Sequence, residues 1–182
     1  MDSTSHNADQ HQDNLSGDAA IARIKEMAEG HTCFFCTHAT GSNSLDARPM
    51  GVMQVDDQGN LWFLSSRDSL KNQELENDSE VRLYFQGPGR AEFMELHGHA
   101  MISTDRAKID ELWSPLAKTW FTEGKDDPRI TVIRVTPTDG YYWDTRHNQA
   151  IAGTKMLLGA AIGKTLDDSV QGTLHPNSRL QH

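Results

Sequence analysis

The order of apolar and polar positions predicts an amphipathic helix near the start of the chain. Apolar residues that include Ile24 and Met27 recur at helical spacing between Asp18, which can cap a helix, and Gly30, which can end one. We therefore predict a helix over residues 18–30 with one face packed against the core.

Shorter apolar runs, separated by turn residues, predict strands for most of the remaining chain. The predicted strands cover residues 31–38, 45–55, 61–65, 81–86, 91–104, 130–135 and 140–143, with turns at 56–60, 87–89 and 136–139. Strands joined by such short turns pair antiparallel. A second helix is predicted after residue 69 and a third after a capping Asp105. This pattern is typical of a mainly β fold with peripheral helices, in the α+β class.

Pro49 and Gly51 indicate where the strand over residues 45–55 lies in the sheet. Proline cannot donate a hydrogen bond to a neighbouring strand, so it restricts this strand to an edge or a bulge. The glycine beside it allows a ligand or another backbone to come close.

The strand over residues 61–65 runs into a helix N-terminus that can bind an anion. Ser66 and Ser69 stand at this end, where backbone N–H groups are free and the helix dipole is positive. Lys71 lies in the first turn, where the dipole disfavours a cation, so its presence indicates a bound anion nearby. The alternative is a solvated Lys71, with Asp68 as the helix cap.

The segment that follows the third helix is rich in aromatic residues. Trp113, Trp120 and Phe121 all fall in the sequence WSPLAKTWF. Side chains of this size pack in a core or an interface, or stack on the ring of a ligand. Both interpretations stay open at this point.

Composition narrows the class of partner. The 182 residues include 17 Lys and Arg against 26 Asp and Glu, which gives a formal net charge of −9. This balance argues against nucleic acid or an anionic membrane as a partner. The first residues lack the basic start and apolar core of a signal peptide, and no apolar run is long enough to span a bilayer. We therefore expect a cytoplasmic protein.

Cysteine and histidine positions do not predict a metal site. Cys33 and Cys36 form a C-x-x-C motif with His31 and His38 nearby. Along a strand the two cysteines point to opposite faces, so four ligands cannot converge without a sharp bend. The HGH sequence in the strand over 91–104 has no carboxylate pair to accompany it. We expect neither a metal centre nor a redox-active cysteine pair.

Four segments together resemble one known family. In chain order they read ARPMGVM, LWFLSSRDSLK, VRLYF and ELHGHAMISTDRAKIDELW. Their order and spacing are similar to those of the pyridoxamine-phosphate-oxidase-like flavoproteins, in particular the bacterial general stress protein branch, and the resemblance covers residues 18–144. It implies an antiparallel split β-barrel of Greek-key type, a homodimer that binds FMN, with FAD possible, at the subunit interface.

The resemblance also implies a set of cofactor-binding residues. Those expected to hold the flavin phosphate and ribityl chain are Arg48, Ser66, Ser69 and Lys71. Those expected to line the flavin ring are Pro49, Met50, Phe63, Leu64 and Ser65, with Trp113, Trp120 and Trp143 as further candidates for ring contacts. The sequence assigns no catalytic residue.

The family likeness leaves two classes of function open. One is a flavin-dependent oxidoreductase that acts on an unknown small substrate, and the alternative is a non-catalytic flavin-binding or flavin-storage stress protein. Relatives in the superfamily hold deazaflavin or haem in place of the flavin. Pyridoxamine-phosphate oxidase activity itself is not expected, because the chain lacks that enzyme's paired basic residues near the last predicted strand.

Composition also suggests a division of the chain into three parts. Residues 1–17 are polar and are predicted to be a disordered tail. Residues 18–146 form the predicted flavin-binding barrel domain. Residues 147–182 are predicted to be a helical extension and tail, with a helix over residues 151–166.

Overall fold

The computed structural model describes residues 11–42, 44–87, 92–144 and 170–177. The strands are β1 (His11–Gln12), β2 (Leu15–Ser16), β3 (Thr32–His38), β4 (Leu45–Gly51), β5 (Gln54–Val55), β6 (Leu61–Ser66), β7 (Glu80–Gln86), β8 (Phe93–Ser103), β9 (Ile130–Asp144) and β10 (Val170–His175). The helices are α1 (Gly17–Ala28), α2 (Leu70–Asn77) and α3 (Arg106–Leu112), with 3₁₀ turns at Pro115–Thr119 and Gly124–Asp126.

These strands form one sheet in which most neighbours are antiparallel. The order along the main path is β1-β10-β9-β8-β7-β3-β4, while β6 pairs with β9 and β5 pairs with β6. Among the described strands this path does not close into a full barrel. The prediction of a mainly β fold with peripheral helices is confirmed.

Strand β9 joins two parts of the sheet, and here the sequence prediction was wrong. We expected two strands separated by a turn at 136–139, but β9 runs unbroken through this region. Its pairing with β8 shifts by one residue between His97 and Gly98, so a bulge accommodates Pro137. The glycine is needed because a Cβ at position 98 would lie 2.5 Å from the Thr136 carbonyl oxygen.

Two hydrophobic cores lie on opposite faces of β6. Phe63 is fully buried in the main core, where its ring meets Phe35 edge-on at 5.2 Å, and α1 covers this core with residues such as Ile24. Leu64 faces a second, smaller core that contains Ile109 of α3 and Phe121. Side chains on successive strand residues alternate between these cores, as strand geometry requires.

Strand β4 lies at one end of the strand order, so the prediction that Pro49 occupies an edge strand is confirmed. The chain beyond β4 links two parts of the sheet, because Val52 N donates to His31 O at 2.9 Å and Met53 N donates to Trp62 O at 2.9 Å. This crossing brings the end of β4 close to β6.

The described residues near the two chain ends form short strands, where we expected part of a disordered tail and of a helical extension. Strand β2 pairs in parallel with β10, and β10 itself pairs antiparallel with β9. Tyr142 Oη donates to the carbonyl oxygen of Asp13 at 2.8 Å. The helix expected over residues 151–166 lies outside the described residues. The three-part domain division therefore stays a proposal, with strands on both sides of its central part.

Cys33 and Cys36 are both buried free thiols. Burial raises the pKa of the Cys33 thiol to about 12, so this group stays protonated and weakly nucleophilic. Among the described helices, none has the length and apolar character needed to cross a membrane.

Candidate functional site

A cavity of about 440 Å³ opens between the end of β4, the end of β6 and the 3₁₀ turn after α3. The lining residues are Pro49, Met50, Gly51, Met53, Leu64, Ser65, Ser66, Lys71, Ser114, Leu116, Ala117, Trp120, Phe121 and Arg129. The crossing between β4 and β6 brings most of these residues together.

One end of the cavity is polar and carries a buried cation. Ser69 caps α2 by accepting a hydrogen bond from Asn72 N, so the helix begins with Lys71 in its first turn. The Lys71 side chain is only 5% exposed, and its Nζ donates to Ser65 Oγ at 2.5 Å. Ser65 Oγ in turn donates to Asn72 Oδ1 at 2.7 Å, and Asn72 Nδ2 donates to Thr131 Oγ1 at 3.0 Å. This chain of hydrogen bonds fixes the serine that faces the lysine.

Burial, with a smaller contribution from the Arg48 guanidinium, lowers the pKa of Lys71 to about 8, and the Glu74 carboxylate acts in the opposite direction. The ammonium is therefore present at neutral pH but poorly solvated. An anion that enters the cavity would offset this loss of solvation.

Arg129 supplies a second cation at the same end. Its Nε and Nη2 donate to the buried carboxylate of Asp127 at 3.0 and 2.6 Å, and this pairing holds the pKa of Asp127 below its usual range. The Arg129 carbonyl oxygen accepts from Arg67 N at 2.8 Å, which ties this loop to the end of β6. The Nη1 group of Arg129 makes no hydrogen bond with the described residues, so it is available to a ligand.

The other end of the cavity is apolar. Met50 and Pro49 come from the edge strand, Leu64 from β6, and Leu116 and Trp120 from the segment after α3. Trp120 is 67% exposed, so its indole forms an open rim instead of a buried wall.

Seven of the twelve residues predicted for the flavin lie on this cavity. They are Pro49, Met50, Leu64, Ser65, Ser66, Lys71 and Trp120. The structure adds Arg129, which the sequence did not point to.

The other predicted residues lie elsewhere, each for a physical reason. Arg48 is not on the cavity wall, because its Nη1 donates to the buried carboxylate of Glu74 at 2.6 Å. Phe63 points into the main core, since it alternates with the lining residue Leu64. The Ser69 side chain caps α2, where it accepts a hydrogen bond from Asn72 N.

Two of the three predicted tryptophans are also placed elsewhere. The Trp113 ring packs against Phe121 with a centroid distance of 6.4 Å, in the smaller core. Trp143 lies at the far end of β9 and lines a different, apolar cavity of about 300 Å³ with Phe93 and Tyr141.

That second cavity belongs to what we call the outer aromatic face of the sheet. Phe34 is paired with Tyr84, Tyr84 with Glu95, and Glu95 with Tyr141, so these side chains form one row across four strands. Phe34 is 59% exposed and Phe93, two residues before Glu95, is 48% exposed. The described part of the chain does not cover this face.

Comparison with protein families gives a match to one family model over most of the chain. The family model described as Pyridoxamine 5'-phosphate oxidase like matches residues 19–167. Protein bli-3 of Neurospora crassa is 27% identical over an alignment of 147 residues, and the match covers 76% of this chain and 70% of that protein.

Solved structures share the fold. General Stress Protein 26 from Bacillus anthracis matches 68% of this chain and 90% of its own, with a TM-score of 0.58 and 22% identity. The general stress FMN/FAD binding protein from Xanthomonas citri matches 68% of this chain and 87% of its own, with a TM-score of 0.58 and 26% identity.

Proposed function

Because the chain belongs to the pyridoxamine 5'-phosphate oxidase like family, we propose that it binds a flavin nucleotide, FMN with FAD as the larger alternative, in the cavity between β4 and β6. The phosphate lies at the polar end beside Lys71 and Arg129, and the ring lies against the apolar end.

One observation carries this assignment. The buried Lys71 ammonium has three N–H donors, and within the described residues it donates to a single acceptor, Ser65 Oγ. A buried cation with donors to spare is stabilised by a ligand that accepts hydrogen bonds and carries negative charge. A flavin phosphate has both properties, and the hydroxyls of Ser65 and Ser66 can complete its contacts.

The shape and polarity of the cavity fit the rest of the molecule. The isoalloxazine ring is flat and has apolar faces, and Met50, Leu64 and Trp120 offer apolar surface in the same cavity as the two cations. A small inorganic anion would use only the polar end. The printed description of the Xanthomonas citri relative as FMN/FAD binding points to the same ligand.

We propose further that the protein is a homodimer in which the outer aromatic face is buried. Phe34, Tyr84, Phe93 and Tyr141 leave an apolar patch that a lone subunit would expose to water. The flavin cavity is open on the side of Trp120, and a partner subunit would cover it. The family likeness supports this arrangement.

A flavin bound here supplies electron or hydride transfer, and the chain's own residues hold it, orient it and limit its contact with water. We therefore propose a flavin-dependent oxidoreductase that acts on a small substrate. The described lining of the cavity includes no carboxylate and no imidazole, and its Lys71 is assigned to the phosphate, so the identity of that substrate does not follow from the site.

The test begins with purified protein. We expect the visible absorption bands of a flavin, or stoichiometric binding of added FMN by titration calorimetry, and then oxidation of NADH or NADPH with a suitable acceptor. Flavin binding without turnover would favour the alternative of a flavin-binding or storage protein. Absence of binding to FMN, FAD and riboflavin would overturn the proposal.

A further inference from the structure

Three potential metal ligands meet on the surface, away from the flavin cavity. His38 ends β3, Asp78 is the C-cap of α2, and Glu80 begins β7. A nitrogen of His38 and one carboxylate oxygen from each acid all lie within 4.8 Å of one another. None of these three residues lines the flavin cavity.

Hydrogen bonds hold two of these side chains in place. His38 Nδ1 lies 2.7 Å from Asp78 Oδ2, and Asp78 Oδ1 accepts from Glu80 N at 2.9 Å. The carboxylate of Asp78 is thereby oriented by the backbone of the residue that supplies the third ligand. Such support for a ligand is typical of metal sites.

The cluster of His38, Asp78 and Glu80 carries excess negative charge. Two carboxylates stand beside one imidazole, and among the described residues no Lys, Arg or His forms an ion pair with Glu80. The guanidinium of Arg82, which lines the neighbouring cavity, interacts with Tyr84 and Glu95 instead. A bound cation would compensate the excess negative charge.

The neighbouring cavity leaves room for ligands from solvent. It measures about 250 Å³, and its lining includes His38, Glu80, His97, His99 and Asp139. His97 is already engaged between Glu95 and Asp139, at 2.8 and 3.0 Å, and His99 Nδ1 lies 3.4 Å from Ser79 Oγ. His97 therefore has other partners. His99 lies beside the three converging side chains, since it is paired with Glu80 across the strands and acts electrostatically on Asp78.

We propose that His38, Asp78 and Glu80 bind one divalent transition-metal ion, with water completing its coordination. One imidazole and two carboxylates are suitable ligands for Zn²⁺, Co²⁺ or Mn²⁺, and bonds of about 2.0–2.2 Å require ligand atoms roughly 3–4 Å apart. The three ligand atoms lie within 4.8 Å of one another, so binding would require the Glu80 and His38 side chains to rotate toward the ion. The ion would replace the contact between His38 and Asp78 and link β3, α2 and β7.

The sequence did not indicate this site because its ligands do not form a motif. His38 is separated from the other two by β4, β5, β6 and α2, and only the pairing of β3 with β7 brings them together. The C-x-x-C motif near His38 offers other candidate ligands, Cys33 and Cys36, but these do not converge with the histidines along a strand.

The test is metal titration of the full chain, followed by elemental analysis after dialysis. With Co²⁺ as a spectroscopic probe and Zn²⁺ as a competitor, we expect one equivalent bound and a higher melting temperature with the ion than without it. Glu80→Gln and His38→Gln should each lose that equivalent. Glu76→Gln removes the same charge from the exposed side of α2, and His97→Gln removes an imidazole that contacts Glu95 and Asp139 instead, so both should retain it.

Flavin content is measured on the same samples to separate this site from the proposed flavin site. Glu80→Gln should keep the flavin content of the wild type while it loses the metal. Absence of a stoichiometric equivalent in the wild type would overturn the proposal, as would retention of the equivalent in both ligand variants.

Discussion

Glu74 lies almost fully buried beneath the candidate site, and its Oε2 accepts a hydrogen bond from Arg48 Nη1 at 2.6 Å. The same oxygen accepts from Thr37 Oγ1 at 2.6 Å. These contacts, led by the Arg48 and Thr37 hydrogen bonds that outweigh burial, hold the pKa of Glu74 below its usual range. Arg48 therefore compensates a buried carboxylate, and its charge also contributes to the lowered pKa of the neighbouring Lys71.

Replacing Arg48 tests this distinction. Arg48→Ala leaves the Glu74 carboxylate buried without its partner, and we expect the free energy of unfolding of the flavin-free protein to fall by about 3 kcal/mol. Urea unfolding measures this change. The double variant Arg48→Ala with Glu74→Gln should recover part of the loss, because the uncompensated charge is gone. A single variant as stable as the wild type would contradict the structural role.

Lys71 should contribute phosphate affinity specifically. Lys71→Ala removes one charge-assisted contact, so FMN affinity should fall by about ten- to a hundredfold. Riboflavin has the same ring but no phosphate, and its affinity should barely change. Lys118→Ala, an exposed lysine on the 3₁₀ turn beside the cavity, is the matched control and should leave both affinities unchanged. Lys71 is buried, so the alternative of a solvated lysine is wrong, and a loss of less than about twofold for FMN would show that the phosphate binds elsewhere.

The same lysine predicts how the stability of the flavin-free protein changes with pH. The pKa of Lys71 is lowered to about 8 on folding, so between that value and the usual lysine range the unfolded chain binds more protons than the folded one. The free energy of unfolding should therefore rise with pH across this interval. Lys71→Met should remove the rise from thermal unfolding curves recorded at a series of pH values. Excess FMN should also reduce it, since a bound phosphate favours the charged lysine.

Local features of the site were predictable from the sequence because they depend on near neighbours in the chain. The helix start after Ser69, the first-turn position of Lys71 and the edge position of Pro49 all follow from a few adjacent residues. The helix cap is Ser69 and not Asp68, which the alternative interpretation had named. Arg129 could not be found in this way, since only the pairing of β6 with β9 brings it to the end of β6.

Phe63 shows a second limit of sequence reasoning. Strand alternation separates Phe63 from Leu64, but the pattern alone does not say which face of β6 is the core and which borders the ligand. Each face of β6 packs against an apolar cluster, so Phe63 and Leu64 both fit the sequence pattern of a core residue. The continuity of β9 through Pro137 was missed for a similar reason, because the compensating Gly98 lies on another strand.

The N-terminal segment provides a further test, because the structure differs from the expected disorder. Asp13 N donates to Gln171 O at 2.9 Å, and Thr173 N donates to Asn14 Oδ1 at 3.0 Å. A chain that starts at Leu15 loses these bonds and the acceptor of Tyr142, so we expect the free energy of unfolding to fall by about 1–3 kcal/mol. Urea unfolding compares the chain that starts at Leu15 with one that starts at His11. The chain that starts at His11 should have the same free energy of unfolding as the full chain. Equal stability of all three would restore the interpretation of a dispensable tail.

The outer aromatic face predicts the oligomeric state. Phe34 projects from β3 with 59% of its surface exposed, in line with Tyr84 on the neighbouring strand. Burial of this row against a second copy would remove apolar surface from water, at about 25 cal/mol for each Å². We therefore expect light scattering to give a dimer at micromolar concentration, and Phe34→Glu to give a monomer, because the interface would then bury an unpaired charge. Leu70→Glu places the same charge on an exposed apolar residue of α2, away from this face, and should stay dimeric. If the flavin lies at the interface, the monomeric variant should also lose FMN affinity. A wild-type protein that is a monomer would contradict the proposal that this face forms a dimer interface.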